Sequence, residues 1–297
     1  QDLKKKPCAM KQFLHRVPWV SPAVACCACR SETRCEELAG VNTAEPRRGW
    51  FSSSSFSMRG SARCVSKASP RAVAPPIQHD CGDDAFFFAK PSARRTDFGI
   101  ADGVSSWKRM GVDPALFAWR LMESCERSAH SAKASPKDIL AAGYELLMSN
   151  SPPQGSSTAC VCSLDSSTGD LSIANLGDSG AMLVRGNTCV LKTKEQSHFF
   201  NCPFQLTGKS LDGEGRNSGD SPLSADAYVV EACDGDLLVV ATDGFFDNVW
   251  HENILKVLAE MHGEEPARIA DRLVRLANLA AHAHDPTPFS ESARRQG

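Results

Sequence analysis

Three acidic segments, Gly82-Asp83-Asp84-Ala85, Ile100-Ala101-Asp102-Gly103 and Ala241-Thr242-Asp243-Gly244, lie far apart in this chain, and each adjoins an apolar run that reads as a strand. The first precedes Phe86-Phe87-Phe88, the second closes Phe98-Gly99-Ile100-Ala101, and the third closes Leu237-Leu238-Val239-Val240-Ala241. A fold that pairs these strands brings the carboxylates to one rim. Two unit charges ~4 Å apart at an effective dielectric of ~20 interact by roughly 4 kcal/mol, so such a rim calls for divalent cations or raised pKa values. A divalent metal site is the simpler expectation.

With 297 residues, 42% of them hydrophobic, the chain can bury a sizeable core, and one domain preceded by a tail is expected. The formal net charge of −2 provides no global field of the kind that recruits phosphate backbones, so no nucleic-acid partner is expected. No run reaches the ~18 consecutive apolar residues of a membrane-spanning helix, and no transmembrane segment is expected. Several of the 13 cysteines, such as Cys160, Cys162 and Cys189, sit inside strand patterns and read as buried free thiols. Cys26, Cys27, Cys29 and Cys35 form the one dense cluster, but no second pair of Cys or His follows at zinc-finger spacing, so no zinc site is expected there. No cysteine is followed six positions later by arginine, which excludes a thiolate-and-arginine phosphate loop.

Residues 1–76 read as a disordered basic tail with a Ser run at Ser52-Ser53-Ser54-Ser55. From Arg47 to Lys67 and Arg71 the stretch is basic, rich in Ser and Ala and free of acidic residues, the composition either of an organelle transit segment or of an ordinary basic linker. Beyond it, Asp113 followed by Pro114 marks a helix start, and Ala118, Leu121, Met122, Cys125 and Ala129 share one face. Ser135, Pro136 and Asp138 start a second helix. Strands are expected at 158–164, 170–175, 180–185 and 188–192, with a tight turn at Arg185-Gly186-Asn187-Thr188. Residues 207–222 read as a mobile loop, strands follow at 228–232 and 236–241, and two helices end the chain, the last near 266–284. The order of elements is α+β.

Five motifs, Asp80-Cys81-Gly82-Asp83-Asp84-Ala85, Ile100-Ala101-Asp102-Gly103-Val104, Gly155-Ser156-Ser157-Thr158-Ala159, Ala174-Asn175-Leu176-Gly177-Asp178-Ser179-Gly180 and Ala241-Thr242-Asp243-Gly244-Phe245-Phe246-Asp247-Asn248, follow one another in this order. Together they resemble the metal-dependent serine/threonine phosphatases of the protein phosphatase 2C family. Gly111-Val112-Asp113-Pro114 and Glu195-Gln196-Ser197-His198-Phe199-Phe200-Asn201 are similar to its mitochondrial branch. The resemblance covers residues 79–297 and implies a four-layer αββα sandwich over a phosphatase domain spanning 77–297. It also implies two Mn²⁺ or Mg²⁺ ions that share a water, which attacks phosphoserine or phosphothreonine in protein substrates directly. Carried over by position, Asp102 bridges the ions, Asp83 and the Gly103 carbonyl complete one, Asp243 holds the other, and Asp84 orients water. Asp178 either touches a third, weaker ion or closes the turn before Gly180. A monomer in the mitochondrion is expected, with plastid or cytoplasm as alternatives.

Where the family commonly carries a phosphate-gripping arginine this chain has His79, which either takes that contact when protonated or is a surface histidine with no role, and where it carries a histidine after Asp-Gly this chain has Val104. The family pattern continues past Ser290 into a Gly-Gly-Lys-x-Asp-Asp segment and a final strand that these residues do not contain, which leaves one metal ligand and one sheet edge to be supplied. The chain reads as a truncated form of an active enzyme; the alternative is a catalytically crippled scaffold that binds phosphoproteins. A divalent-ion store built from the same carboxylates is a third reading. Asp247 and Asn248 are expected to cap the helix that follows; Trp107, Lys108 and Arg109 either line the substrate mouth or, the preferred reading, are a packed Trp with solvated charges; and His198 and His251 are expected to be structural.

Overall fold

Two kinds of apolar pattern build the sheets. Leu237–Ala241 and Ala159–Asp165 are buried almost throughout, as strands covered on both faces must be, whereas Asp226–Glu231 alternates between half-buried and exposed positions. The computed structural model describes residues 23–34, 53–65, 81–131, 134–208 and 219–296, with 23–34 and 53–56 described as backbone alone. In chain order the strands and helices are β1 (Ala23–Arg34), β2 (Ser53–Cys64), β3 (Asp84–Ala89), β4 (Arg95–Asp102), α1 (Pro114–Ala129), α2 (Pro136–Ser149), β5 (Ser156–Ser157), β6 (Ala159–Asp165), β7 (Asp170–Leu176), β8 (Gly180–Arg185), β9 (Thr188–Lys192), β10 (Ser197–Phe199), β11 (Cys202–Pro203), β12 (Leu206–Thr207), β13 (Asp226–Glu231), β14 (Leu237–Ala241), α3 (Asp243–Phe246), α4 (His251–Glu260), α5 (Pro266–His282) and α6 (Pro288–Gln296).

One sheet has the order β13-β7-β6-β4-β3 and the other β2-β1-β14-β8-β9, and every pairing in both is antiparallel. Phe98, Ile100, Cys160, Cys162, Ile173, Leu183, Leu238 and Val240 fill the space between the sheets. The outer face of the first sheet carries α1 and α2, with Phe117, Trp119, Leu121, Ile139 and Leu140 packed on Phe87, Val161 and Leu176. On the outer face of the second lie α4 and α5, with Ile254, Leu258, Ile269 and Leu273 on Met182 and Val239. Each such side chain stabilises the fold by roughly 1.5–3 kcal/mol relative to exposure. The result is the expected αββα sandwich. Among the described residues no helix is long and apolar enough to cross a membrane.

Both predicted helix starts are realised. The Asp113 side chain accepts from the Ala115 N–H, and Ser135 with Asp138 closes a reciprocal capping box. The tail expected over 1–76 is corrected: β1 and β2 lie within it, and β1 pairs with β14 from Val24↔Ala241 to Ala28↔Leu237. In β2 the residues alternate, Met58 and Ala62 packing against the core between the sheets while Arg59 and Arg63 reach Glu265 and Asp271 near and on α5. The Ser-rich composition hides this period of two. The rest of the basic stretch, and most of the 207–222 loop, lie outside the described residues.

Two further expectations change. Cys64 and Cys81 form a disulfide, so these two are not thiols, while Cys125, Cys160, Cys162 and Cys202 are buried and outside any disulfide. Burial pushes the Cys125 thiol up to about 12, which makes it inert near neutral pH. A further helix, α6, follows the one expected to be last.

Candidate metal centre

Antiparallel pairing decides which strand ends meet. The start of β3 pairs with the end of β4, the end of β4 lies beside the start of β6, and the end of β7 lies beside that same start. In the other sheet Ala241 at the end of β14 faces Gly180 at the start of β8. Asp83, Asp84, Asp102, Gly103, Asp178 and Asp243 therefore share one rim, each within a few residues of a strand end.

Asp84 and Asp102 are directly opposite in the β3/β4 register, so their side chains leave the sheet on the same face. Like charges at that position repel, and both carboxylates are buried. Burial first, then the nearby charges of Asp243 and Asp84, raises the Asp102 carboxyl well above the ordinary carboxylate range. A hydrogen bond between Asp102 and Asp243 acts in the same direction, as in a carboxyl pair that shares one proton. Asp178 is raised by burial, then by Asp243 and Glu195. Asp247 is raised by burial, then by Asp243, Asp178 and Glu195, and Lys192 opposes the shift.

Local backbone fixes these groups. The Gly103 N–H donates to the Asp83 carbonyl at 3.0 Å, and the Thr158 N–H donates to the Asp102 carbonyl at 3.1 Å. A Cβ at Gly103 would come 2.4 Å from the Pro114 carbonyl oxygen, so the close approach of α1 to this loop requires glycine. Gly177, before Asp178, has φ 99°, and a Cβ there would lie 2.6 Å from the Phe204 carbonyl oxygen. Trp119 of α1 donates Nε1–H to the Asp84 carbonyl at 2.9 Å, and Thr242 donates Oγ1–H to Asp84 Oδ2 at 3.4 Å.

Asp83 has a different partner. Lys108 Nζ lies 2.6 Å from Asp83 Oδ2, and Ser105 Oγ donates to the same oxygen at 2.8 Å. The lysine is therefore not a solvated bystander, as expected from sequence, but a cation seated on a rim carboxylate. Trp107, as expected, is packed, with Nε1–H donated to Ser156 Oγ at 2.7 Å.

Among the described residues, no three His, Cys, Asp or Glu side chains are gathered tightly enough to enclose one ion. The raised carboxyls of Asp102, Asp178 and Asp247, and the Lys108 ammonium on Asp83, show where this rim calls for positive charge. The donors are all hard oxygens, in number and charge suited to Mn²⁺ or Mg²⁺, so the residues fit such ions.

Some expected assignments change. His79 lies outside the described residues. Asp247 does not cap α4, whose N-cap residue is Trp250; it ends α3 and faces the acidic cluster. Its four-residue spacing from Asp243, one helical turn, was the available signal. Nor does Asn248 cap α4: its side chain donates back to the Gly244 carbonyl of α3 at 2.9 Å. His198 stacks on Phe204 and bonds Asp220, in keeping with a structural role.

Residues 94–287 match the family model described as Stage II sporulation protein E (SpoIIE). The chain is 40% identical over 220 residues to the Protein phosphatase PTC7 homolog of Homo sapiens, covering 71% of this chain and 72% of that one. The Protein phosphatase PTC7 homolog of Danio rerio is 39% identical over 222 residues, 71% of this chain and 74% of its own length. An X-ray structure of the photosystem II phosphatase PBCP aligns with a TM-score of 0.62 at 31% identity, over 73% of this chain and 80% of that chain. With the αββα layers and the acidic rim already described, these similarities place the chain in the protein phosphatase 2C family, in its SpoIIE-type group alongside the PTC7 protein phosphatases.

Proposed function

We propose that this chain removes phosphate from phosphoserine or phosphothreonine in protein substrates, using two Mn²⁺ or Mg²⁺ ions held by the acidic rim. The observation that carries the proposal is the crowding of Asp84, Asp102, Asp178 and Asp243 at one end of the sandwich, with Asp102 raised by its acidic neighbours as well as by burial. Such a group of carboxylates is stable near neutral pH only when positive charge enters among them. Asp102 would bridge both ions, Asp83 and the Gly103 carbonyl would complete one, and Asp243 would hold the other. When bound, such a pair of ions lowers the pKa of a shared water and neutralises charge on the phosphate.

The chain's own groups do the rest. Trp119 fixes the Asp84 backbone and Thr242 bonds its carboxylate, which supports Asp84 as the group that would orient a water and accept its proton. The Gly103 backbone is held between Asp83, whose carbonyl accepts its N–H, and α1, which leaves no room for a side chain there. Asp178 and Asp247 would hold a third, weaker ion beside Asp243. No side chain of the protein needs to form a covalent bond to phosphorus, which agrees with the lack of a Cys/Arg phosphate loop in the sequence.

Release of inorganic phosphate from a phosphothreonine peptide, measured with Mn²⁺ for residues 1–297 and for a version extended by a Gly-Gly-Lys-x-Asp-Asp segment and final strand, tests the reading. Turnover by either, abolished by chelator, is the expected result. Manganese binding without turnover by both would overturn it in favour of a phosphoprotein-binding scaffold. The proposed mitochondrial location is checked by fusing residues 1–80 to a fluorescent reporter, where diffuse cytosolic signal would contradict it.

A further inference from the structure

A phosphorylated side chain brings about −1.5 to −2 charge to a rim that is already acidic, so the chain must supply cations of its own beside any metal. Two lysines among the described residues act on this rim. Lys192 is exposed, and its ammonium lies over the Phe246 ring at 5.0 Å, where its field opposes the rise of Asp247. Lys108 is different in mounting and in partner. It belongs to the short 3-10 helix Ser105–Met110 that leaves the Asp102–Gly103 loop directly, and Trp107 pins that helix to Ser156. Gly111, in the left-handed conformation, closes it with N–H bonds to the Lys108 and Trp107 carbonyls. The Lys108 side chain is 48% exposed, against 6% for its partner Asp83, so its ammonium covers a buried carboxylate from the solvent side.

We propose that Lys108 is a phosphate-contacting residue of this site, parked on Asp83 until a divalent ion claims that carboxylate. The proposal rests on the phosphatase reading and deepens it. Asp83 Oδ2 accepts from both Lys108 and Ser105, so an ion arriving at that oxygen competes with the ammonium for it. A displaced Lys108 keeps its rigid backbone mount at the edge of the metal loop, while its flexible stem and three donors remain free to turn to the next anion, the substrate phosphate. One lysine thus serves two anions in turn: it compensates Asp83 before the metal, and the phosphate after it.

The test compares wild type, Lys108→Met and Lys108→Arg, with Lys108→Gln as a second uncharged variant should Lys108→Met melt early. Calorimetric titration with Mn²⁺ alone should show tighter binding by Lys108→Met, a few-fold, because the competing ammonium is gone. At saturating Mn²⁺, the KM for a phosphothreonine peptide and the inhibition constant of inorganic phosphate should both rise about tenfold in Lys108→Met and return toward wild type in Lys108→Arg. Unchanged KM and unchanged phosphate inhibition in Lys108→Met would overturn the proposal while leaving the phosphatase reading intact. If neither wild type nor the extended version turns over peptide, that reading fails instead. Calorimetric binding of inorganic phosphate to the Mn²⁺-loaded protein then decides the lysine's role, with equal affinity in wild type and Lys108→Met overturning it.

Discussion

At the rim where β8 ends and β4 begins, Asp97 and Asp236 are wholly buried, and each is bonded to an arginine. Arg185 grips both oxygens of Asp236 at 2.9 and 2.8 Å and also donates to the Glu231 carbonyl, and Arg95 bonds Asp97 at 2.9 Å. At the opposite rim Asp102 is almost as sealed, 8% exposed, yet the groups that act on it are Asp243, Asp84 and Asp178. The sandwich thus builds a cation beside a buried carboxylate where the fold alone requires the charge, and gathers carboxylates together where the proposed function requires one to arrive from outside. A lone buried aspartate would not reveal this difference; its neighbours do.

The largest expected effect comes from removing the charge at the centre of the acidic rim. Asp102→Asn should lower phosphatase activity by more than about 100-fold, beyond what loss of an outer-shell partner costs, while the chelated protein melts at a higher temperature than wild type because a repulsive contact is gone. Activity assays and thermal melts in chelator check both halves, and a variant less stable than wild type in chelator would break the comparison. Removing a cation from the other rim should do the reverse. Arg185→Met leaves Asp236 buried without its guanidinium and should cost about 2 kcal/mol in urea denaturation, less than for a fully buried pair because the arginine is 41% exposed, with manganese affinity unchanged.

A smaller effect is expected from pH. In the folded protein Asp102, Asp178 and Asp247 are all raised above 3.8, so their contribution is fully present below that value and lost as pH rises through the raised values. Stability in chelator should therefore increase as pH falls from neutral toward the acidic side. Asp97 is raised too, its burial outweighing its hydrogen bond with Ser163 and the charge of Arg95, so the slope is compared with and without Mn²⁺, which the proposal places on the acidic rim. Manganese should flatten or invert it, because the ion needs deprotonated ligands. Identical slopes would contradict the account. The smallest effect is expected at β2, where Arg63→Ala removes an exposed pair with Asp271 and should change stability by less than about 1 kcal/mol.

Local signals made much of this molecule legible. The α1 and α2 starts, the β8–β9 turn and the buried run of β14 each follow from a few adjacent residues. So does the shared rim, since strand ends carry the aspartates. What stayed hidden depends on residues distant in the chain. The arginines of β2 read as a basic linker because their partners, Glu265 and Asp271, lie more than 200 positions away. Lys108 read as solvated because the turn at Gly82-Asp83 that brings Asp83 beneath it is visible only in three dimensions. Asp247 read as a cap because the sequence places Asn248 and a helix beside it, while its acidic neighbours Asp178 and Glu195 come from the other strand connections.

The central claim is that the acidic rim is built to receive divalent cations. Its most direct test is the thermal midpoint of wild type and Asp102→Asn, each titrated with Mn²⁺ from a chelated start. The account predicts a midpoint that climbs with Mn²⁺ in wild type and stays nearly flat in Asp102→Asn. No climb in wild type, or an equal climb in both, would contradict it.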